Sequence, residues 1–338
     1  MKAIITTAIC SSLLLMTGCT TSAENKNNTL LITQKTVLAS GIEKANIDNT
    51  IRPQDNFYRY VNGNWLTSHT IPGDKTAIGS FYDLRDKADN DVKAIIEELA
   101  VAKNLIEGSD EQKVADIFRS YMDTEKRNSL GIKPIQPIFD AINNLNNKSE
   151  LASFFGEYQA VGVSSPLGFY ISVNAKDSSS YATHIWQSGL GLPDKDYYFN
   201  ETERFTALRA GYIAHIEKMF NLAGIADGKK AAETIMALET KLAKFHWTQV
   251  QSRDSEKRYN KYEVNKLNEL TNAFDWSAYL SAQGVASQKD IIINQPDFIA
   301  GFGEIFAKTS LDDWKTYLNF HSLSNFSSYL TTDIDNEN

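Results

Sequence analysis

Apolar residues recur at helical spacing along most of this chain from Arg52 onward. In "DVKAIIEELAVAKNLI", for example, Val92, Ile95 and Leu99 fall on one side of a helix and charged residues fall elsewhere. A stripe of this kind has to be buried against another element, so a chain with many stripes folds as packed helices. The same spacing occurs at 113–123, 149–162, 205–220, 235–246 and 311–323. The sequence therefore predicts a mainly α protein, a multi-helix lobe.

One stretch breaks this spacing. "LGFYISV" (167–173) and "YATHIWQ" (181–187) are short and rich in strand-forming residues, and "NAKDSSS" between them is typical of a turn. The pattern predicts a small β-hairpin near 167–187. "GLGLPDKDYYF" (189–199) follows directly, with glycines and a proline that suit a tight join to a helix.

Residues 1–19, "MKAIITTAICSSLLLMTGC", carry one lysine, then an uncharged run, then small residues. This composition is typical of an export signal, and the run is too short to span a bilayer stably. The ending "LLLMTGC" resembles a bacterial lipobox, which predicts a lipoprotein signal peptide over 1–18 and a lipid on Cys19. The alternative is a plain signal peptide that is cleaved near Ala23.

The polar segment 19–49 predicts a flexible tether, with the folded domain over 50–338. A lipid and a tether together would hold that domain at a membrane surface. Thr20, rather than an aspartate, follows Cys19. This favours the outer membrane of a Gram-negative host, so the predicted location is the cell envelope, as an exported lipoprotein that faces the periplasm.

The cysteine count and the net charge exclude two possibilities. The only cysteines, Cys10 and Cys19, both belong to the predicted signal and its lipidation site. No pair would remain for an internal disulfide, so we expect the packed core alone to stabilise the exported domain. The formal net charge is −8. Nucleic-acid binding requires a basic surface, so nucleic acid is not expected as a partner.

Catalytic motifs are not found in the sequence. The five histidines are too far apart for HExxH, the pair of helical zinc ligands with its glutamate, and neither GxSxG nor a phosphate loop occurs. Carboxylate pairs at 97–98 and 312–313 are interpreted as solvated helix faces. His215 and His246 are interpreted as residues at helix surfaces or boundaries. We therefore predict no catalytic and no metal-binding residue in this chain.

Two further segments predict local structure. The aromatic-rich segment 55–86 predicts one helix, an irregular loop and a second helix near Ser80, with Trp65 and Phe81 as core candidates. The ending "SSYLTTDIDNEN" shows no helix stop and no packing residue after Ile334. We interpret it as a ragged C-terminus.

Four motifs, taken in order, resemble a known family. They are "FYRYVNGNWL…IP…GSFYDLRD", "GLGLPDKDYYF", "RDSEKRYNKY" and "WKTYLNFHSL". Together they resemble the N-terminal half of the M13 metallopeptidases, the neprilysin and endothelin-converting-enzyme family with its bacterial PepO-type oligopeptidases. The resemblance covers the chain from about Gly41 to its end.

The resemblance implies a zinc endopeptidase that cleaves peptides of limited size in a cavity between two mainly helical lobes. In that family the catalytic lobe carries HExxH, a downstream ExxxD and an Asn-Ala motif, and none of these matches a residue here. The N-terminal half forms most of the other lobe, which restricts access by large substrates. The implied cofactor is zinc in the complete enzyme, with none bound by this chain.

For single residues the resemblance implies less. Arg85 matches a family residue that lines the far substrate pocket, where a cation suits a peptide carboxylate. The alternative is an ordinary ion pair of Arg85 with Asp86 or Asp89. Some members have a substrate-contacting arginine where this chain has Ala77. For the segment 189–199 we favour packing of the join over contact with a substrate.

Two functions are therefore hypotheses. The first is the cavity-forming, substrate-restricting N-terminal part of an M13-type zinc metalloendopeptidase, cut short before its catalytic half. Its partners would be peptide substrates and the missing catalytic lobe. The alternative is a non-catalytic, periplasm-facing lipoprotein that binds peptides or acts as an adaptor. A separately encoded catalytic half that assembles with this chain is a variant of the alternative.

Overall fold

A computed structural model of the protein describes residues 40–338. Contacts between residues divide it into a unit that ends at Ala88 and a unit over Asp89–Asn338. Most of the regular structure is helical, which confirms the prediction of a mainly α fold. The helices are α1 (Phe57–Ser68), α2 (Ser80–Val101), α3 (Asp110–Met122), α4 (Thr124–Leu130), α5 (Gln136–Asn143), α6 (Lys148–Gln159), α7 (Asp196–Phe199), α8 (Glu203–Leu222), α9 (Gly228–Phe245), α10 (Trp276–Ala282), α11 (Pro296–Lys308), α12 (Leu311–Asn325) and α13 (Thr332–Glu337).

Many helices begin at a side-chain cap. Asn56, Ser109 and Asn147 precede α1, α3 and α6, and each side chain accepts a hydrogen bond from the backbone N–H three residues further on. Ser310 caps α12 in the same way. Such a cap satisfies an N–H group that has no partner inside the helix, and it fixes where the helix starts.

The predicted hairpin is present and belongs to a larger sheet. Strands β1 (Leu167–Asn174) and β2 (Asp177–Gln187) pair antiparallel, as predicted. Two strands that the sequence did not predict, β3 (Asn260–Glu263) and β4 (Asp290–Ile293), complete a four-stranded sheet of order β1-β2-β4-β3. β2 and β4 run parallel. Since β3 and β4 have four residues each, they are too short to show a strand period.

Aromatic side chains form the centre of the core in the unit over 89–338. The ring centroid of Phe274 lies 5.1 Å from that of Phe306 and 5.3 Å from that of Phe302. Trp314 is fully buried, with its ring centroid 5.7 Å from that of Phe155. These rings come from α6, α11, α12 and the turn before α10, so their edge-to-face packing joins elements that are distant in the sequence.

The C-terminal segment is packed, so its interpretation as a ragged end was wrong. Thr331 caps α13, and Ile334 is fully buried. Arg127 holds the segment on α4, because its Nη2 lies 2.8 Å from Oδ2 of Asp335 and its Nε donates to the carbonyl of Leu330. With six residues, α13 is too short to show a helical period in the sequence.

Two helices leave exposed the apolar faces that the sequence predicts. Val92 and Ile95 of α2 are 56% and 57% exposed, and Ile117 of α3 is 71% exposed. Both helices form, so the spacing correctly predicted the elements. No helix within residues 40–338 has both the length and the apolar content needed to cross a membrane.

Part of the predicted tether contacts α1 in the first unit. Nδ2 of Asn64 donates to the carbonyls of Ala45 and Ile47, at 3.1 and 2.8 Å. The backbone N–H of Asp48 donates to the carbonyl of Tyr60 at 2.8 Å. These bonds place the residues just before 50 against the helix.

The two core candidates of the first unit differ in burial. Trp65 is half-buried, and its ring stacks on that of His69 at a centroid distance of 4.8 Å. Phe81 is 88% exposed, so its placement in the core was wrong. It lies in the first turn of α2, where no described side chain covers it.

Candidate functional site

Residues 189–199, which follow the hairpin and which we call the join, are held by close backbone packing. Gly189 has a φ of +86°, and its carbonyl accepts a hydrogen bond of 2.8 Å from the Tyr317 hydroxyl. A Cβ atom at Gly189 would lie 2.5 Å from that hydroxyl and 2.7 Å from Cα of Pro166. Glycine is therefore required here both by the backbone angle and by the space.

A buried carboxylate lies beneath this join. Glu239 of α9 is fully buried. Its Oε2 accepts hydrogen bonds from the Tyr198 hydroxyl at 2.6 Å and from the Gly191 N–H at 3.2 Å. Its Oε1 accepts from the Tyr212 hydroxyl at 3.0 Å and lies 2.8 Å from Nε2 of His321. We call Glu239 and these four partners the Glu239 network. It links α7, α8, α9 and α12 to the join.

Electrostatics keep the tyrosines of this region in the donor state. Burial raises the pKa of Tyr198 and Tyr212, and the negative charge of Glu239 raises both further. Burial also raises the pKa of Tyr317, again with a contribution from Glu239. A tyrosine that holds its proton remains a hydrogen-bond donor, so each hydroxyl continues to stabilise the carboxylate or the join.

The Glu239 network has the properties of a structural centre. Both carboxylate oxygens already accept two contacts each, and the side chain has no exposure to solvent. A buried carboxylate without such partners would cost several kcal/mol, which the surrounding donors offset. This geometry supports the packing role that the sequence favoured for 189–199.

A cleft opens beside the join, at the carboxyl ends of the parallel strands β2 and β4. Its volume is about 470 Å³, and Trp186, Trp247, Asn294 and Arg258 are among its lining residues. The Gln187 side chain holds Trp247 in place by donating to its carbonyl at 3.0 Å and accepting from its N–H at 2.7 Å. The cleft thus combines aromatic and polar walls.

His246 lies at the boundary of α9, as its C-cap, and it is buried against this cleft. Its Nε2 lies 3.2 Å from the carbonyl of Ser188. Burial lowers the pKa of His246 to about 4, and the positive charge of Lys195 contributes to this decrease. The other histidine interpreted as a surface or boundary residue, His215, is half-buried and lies 3.1 Å from Glu337.

The two residues predicted as sites lie elsewhere in the chain. Arg85 is exposed on α2, with its guanidinium 5.7 Å from the ring centroid of Tyr82. Asp86 pairs with Lys75, and among the described residues Arg85 forms no ion pair with either Asp86 or Asp89, the two partners of the alternative interpretation. Cys19 lies outside the described residues, together with the predicted signal peptide.

A zinc ion does not fit the residues that the structure describes. Within 40–338 no three histidine, cysteine or acidic side chains are grouped as metal ligands. His321 and Glu239 are adjacent, but the hydrogen bonds of the Glu239 network already occupy the carboxylate. A zinc site needs at least three protein ligands, which this pair does not supply.

Comparison with known proteins places the chain in a family. The model for the N-terminal part of "Peptidase family M13" matches residues 53–338. Endothelin-converting enzyme 1 of Rattus norvegicus is 26% identical over 297 residues, which cover 84% of this chain and 38% of that protein. Endothelin-converting enzyme-like 1 of Homo sapiens is 23% identical over 282 residues, covering 78% of this chain and 36% of that protein.

Solved structures give the same result. The Mycobacterium tuberculosis zinc metalloprotease ZMP1 in complex with an inhibitor is 34% identical, with a TM-score of 0.80 over 88% of this chain and 46% of that chain. PepO of Lactobacillus rhamnosis HN001 shares the fold at 18% identity, with a TM-score of 0.66 over 84% of this chain and 45% of that chain. The architecture is one found in metallopeptidases. The chain belongs to peptidase family M13, and it spans under half the length of these relatives.

Replacing Glu239 with glutamine should lower the free energy of unfolding by about 3 kcal/mol. The amide would direct an N–H group at donors that now meet a carboxylate oxygen. Urea unfolding measures the change. Glu233→Gln is the matched control, because Glu233 lies exposed on the same helix, and we expect it to change stability by under about 0.5 kcal/mol. Equal effects of the two substitutions would contradict a structural role for Glu239.

His246 should make stability depend on pH. Its folded pKa of about 4 lies below the unfolded value of 6.5, so the unfolded state binds the proton first as pH falls. Its contribution is complete above about pH 6.5 and is lost between there and about pH 4, with about 2 kcal/mol lost between pH 7 and pH 5. Between pH 7 and pH 5 we expect the free energy of unfolding of His246→Gln, measured in urea, to fall by about 2 kcal/mol less than that of the unaltered protein. Identical pH profiles for the two proteins would refute the assignment.

Proposed function

We propose that this chain is the N-terminal, cavity-forming and substrate-restricting part of an M13-type zinc metalloendopeptidase. The observation that carries the proposal is the match of the family model to residues 53–338. The likeness to ZMP1 supports it, since 34% identity accompanies a TM-score of 0.80. In this proposal the zinc ligands and the general base belong to a part of the protein outside these 338 residues.

Exposed apolar side chains give physical support. They are concentrated on α1, α2 and α3 and in the loops between them: Phe57, Tyr58, Ile71, Phe81, Tyr82, Leu84, Val92, Ile95, Val101, Ile106, Val114, Ile117, Tyr121 and Met122. Soluble proteins rarely leave so many large apolar side chains in water unless another surface covers them. We infer that the catalytic lobe covers many of these side chains in the complete enzyme.

Arg85 has a place in this proposal. Its guanidinium is exposed and lies against the Tyr82 ring, which limits its motion without using its N–H groups on a carboxylate. A guanidinium in this state can bind a carboxylate with two parallel hydrogen bonds. We propose that Arg85 faces the substrate at the far end of the cavity.

The proposal predicts that the purified chain alone does not hydrolyse peptides, because zinc hydrolysis needs a bound metal and a base beside it. The assay uses a short internally quenched peptide with added zinc, in the presence and absence of a chelator. Chelator-sensitive cleavage by the chain alone would refute the proposal.

In a protein that also carries the catalytic lobe we expect cleavage, and Arg85→Gln should raise KM more than it lowers kcat. Arg59→Gln, another exposed arginine, is the control.

We further propose that the chain is an exported lipoprotein held at the membrane by Cys19. Expression in a Gram-negative host with a labelled fatty acid should label the protein and place it in the membrane fraction. Cys19→Ser should abolish the label, whereas Cys10→Ser should keep it. An unlabelled protein released into the periplasm would favour the plain signal peptide cleaved near Ala23.

A further inference from the structure

The cleft at the carboxyl ends of β2 and β4 contains two polar atoms without partners. Nε of Arg258 and Oγ of Ser252 are both shielded from solvent, yet neither has a hydrogen-bond partner among the described residues. Both residues line the cleft. A shielded guanidinium N–H without an acceptor is unfavourable, so these two atoms suit a ligand that brings an acceptor oxygen.

The charge of Arg258 is not neutralised nearby. No carboxylate of the described residues lies within ion-pair distance of its guanidinium. Asp194 also lines the cleft, but its two oxygens accept hydrogen bonds from the Gln249 side chain at 2.8 Å and from the Asp196 N–H at 2.9 Å. A positive guanidinium with free donors favours a carboxylate over a neutral carbonyl.

Two indole rings supply the apolar part of the cleft. Trp186 is 45% exposed and lies flat across Gly168, where any side chain would overlap its ring. Trp247 is half-buried, and its backbone N–H and carbonyl are held by paired hydrogen bonds to the Gln187 side chain. Aromatic walls beside a few polar groups are the usual composition of a small ligand site, and about 470 Å³ is a typical size.

We propose that this cleft binds the free carboxyl terminus of a peptide whose last side chain is aromatic or large and aliphatic. Arg258 and Ser252 donate to the terminal carboxylate, and Trp186 and Trp247 contact the last side chain. The cleft lies entirely within the unit over 89–338 and uses none of the residues assigned above to the substrate cavity. The inference is therefore independent of the proposed endopeptidase.

The test is binding to the full chain by isothermal titration calorimetry. The probes are the tetrapeptide Ala-Gly-Ala-Phe as free acid, the same peptide with an amidated C-terminus, and 3-phenylpropionate. We expect the free acid to bind at least about tenfold more tightly than the amide, because the amide removes the charge that Arg258 meets. Equal affinities for acid and amide, or no binding of the acid, would overturn the proposal.

The third probe identifies the source of the carboxylate. If 3-phenylpropionate binds as tightly as the tetrapeptide, the ligand is a small organic acid and the assignment to a peptide terminus is wrong. Arg258→Gln should weaken the binding of the free-acid tetrapeptide at least about tenfold. Arg253→Gln removes the same charge from an exposed position in the same segment and should leave affinity unchanged. The comparison of acid with amide uses the unaltered chain, so it decides the matter even if Arg258→Gln does not fold.

Discussion

The fold of the unit over 89–338 depends on a buried negative charge. Glu239 lies inside the protein with no solvent contact, and the hydrogen-bond donors around it offset the cost of burying a carboxylate. Those donors come from the join, α7, α8 and α12, so the charge is stable only when all of these elements are in place.

The join "GLGLPDKDYYF" is explained by this requirement. Gly191 brings its N–H to Glu239, and Tyr198 brings its hydroxyl to the same oxygen. The Tyr198 hydroxyl also accepts a hydrogen bond from the N–H of Leu192 at 3.0 Å, which closes the turn on itself. Glycine, tyrosine and the distant glutamate are therefore parts of one hydrogen-bonded arrangement.

Much of the fold could be predicted from the sequence, because apolar spacing specifies helices over long segments. The spacing of Ile235, Leu238 and Leu242 correctly predicted α9, and all three are buried. Glu239 was missed, although it lies one turn after Ile235 and therefore on the buried face. Its position on the buried face was the sequence signal that could have identified Glu239 as a buried acid. Its four partners, Tyr212, Tyr198, Gly191 and His321, could not be predicted, since they lie 27, 41, 48 and 82 residues away in the chain.

The candidate sites show the same limit. Spacing predicts that α2 and α3 have apolar faces, but it does not say what covers them, and Val92, Ile95 and Ile117 are exposed here. The cleft could not be predicted, because Trp186, Trp247 and Arg258 meet only where β2 and β4 end together. Short strands and long-range pairing leave no local pattern to detect.

The parallel pairing of β2 with β4 has a consequence for how the chain folds. His184 of β2 aligns with Ile292 of β4, so the sheet cannot form until more than a hundred intervening residues have been synthesised. His321, which completes the surroundings of Glu239, emerges later still. While the chain is synthesised from its N-terminus, β2 therefore lacks its parallel partner and Glu239 lacks His321 until the final helices arrive. During that interval the chain is most exposed to proteases and to aggregation.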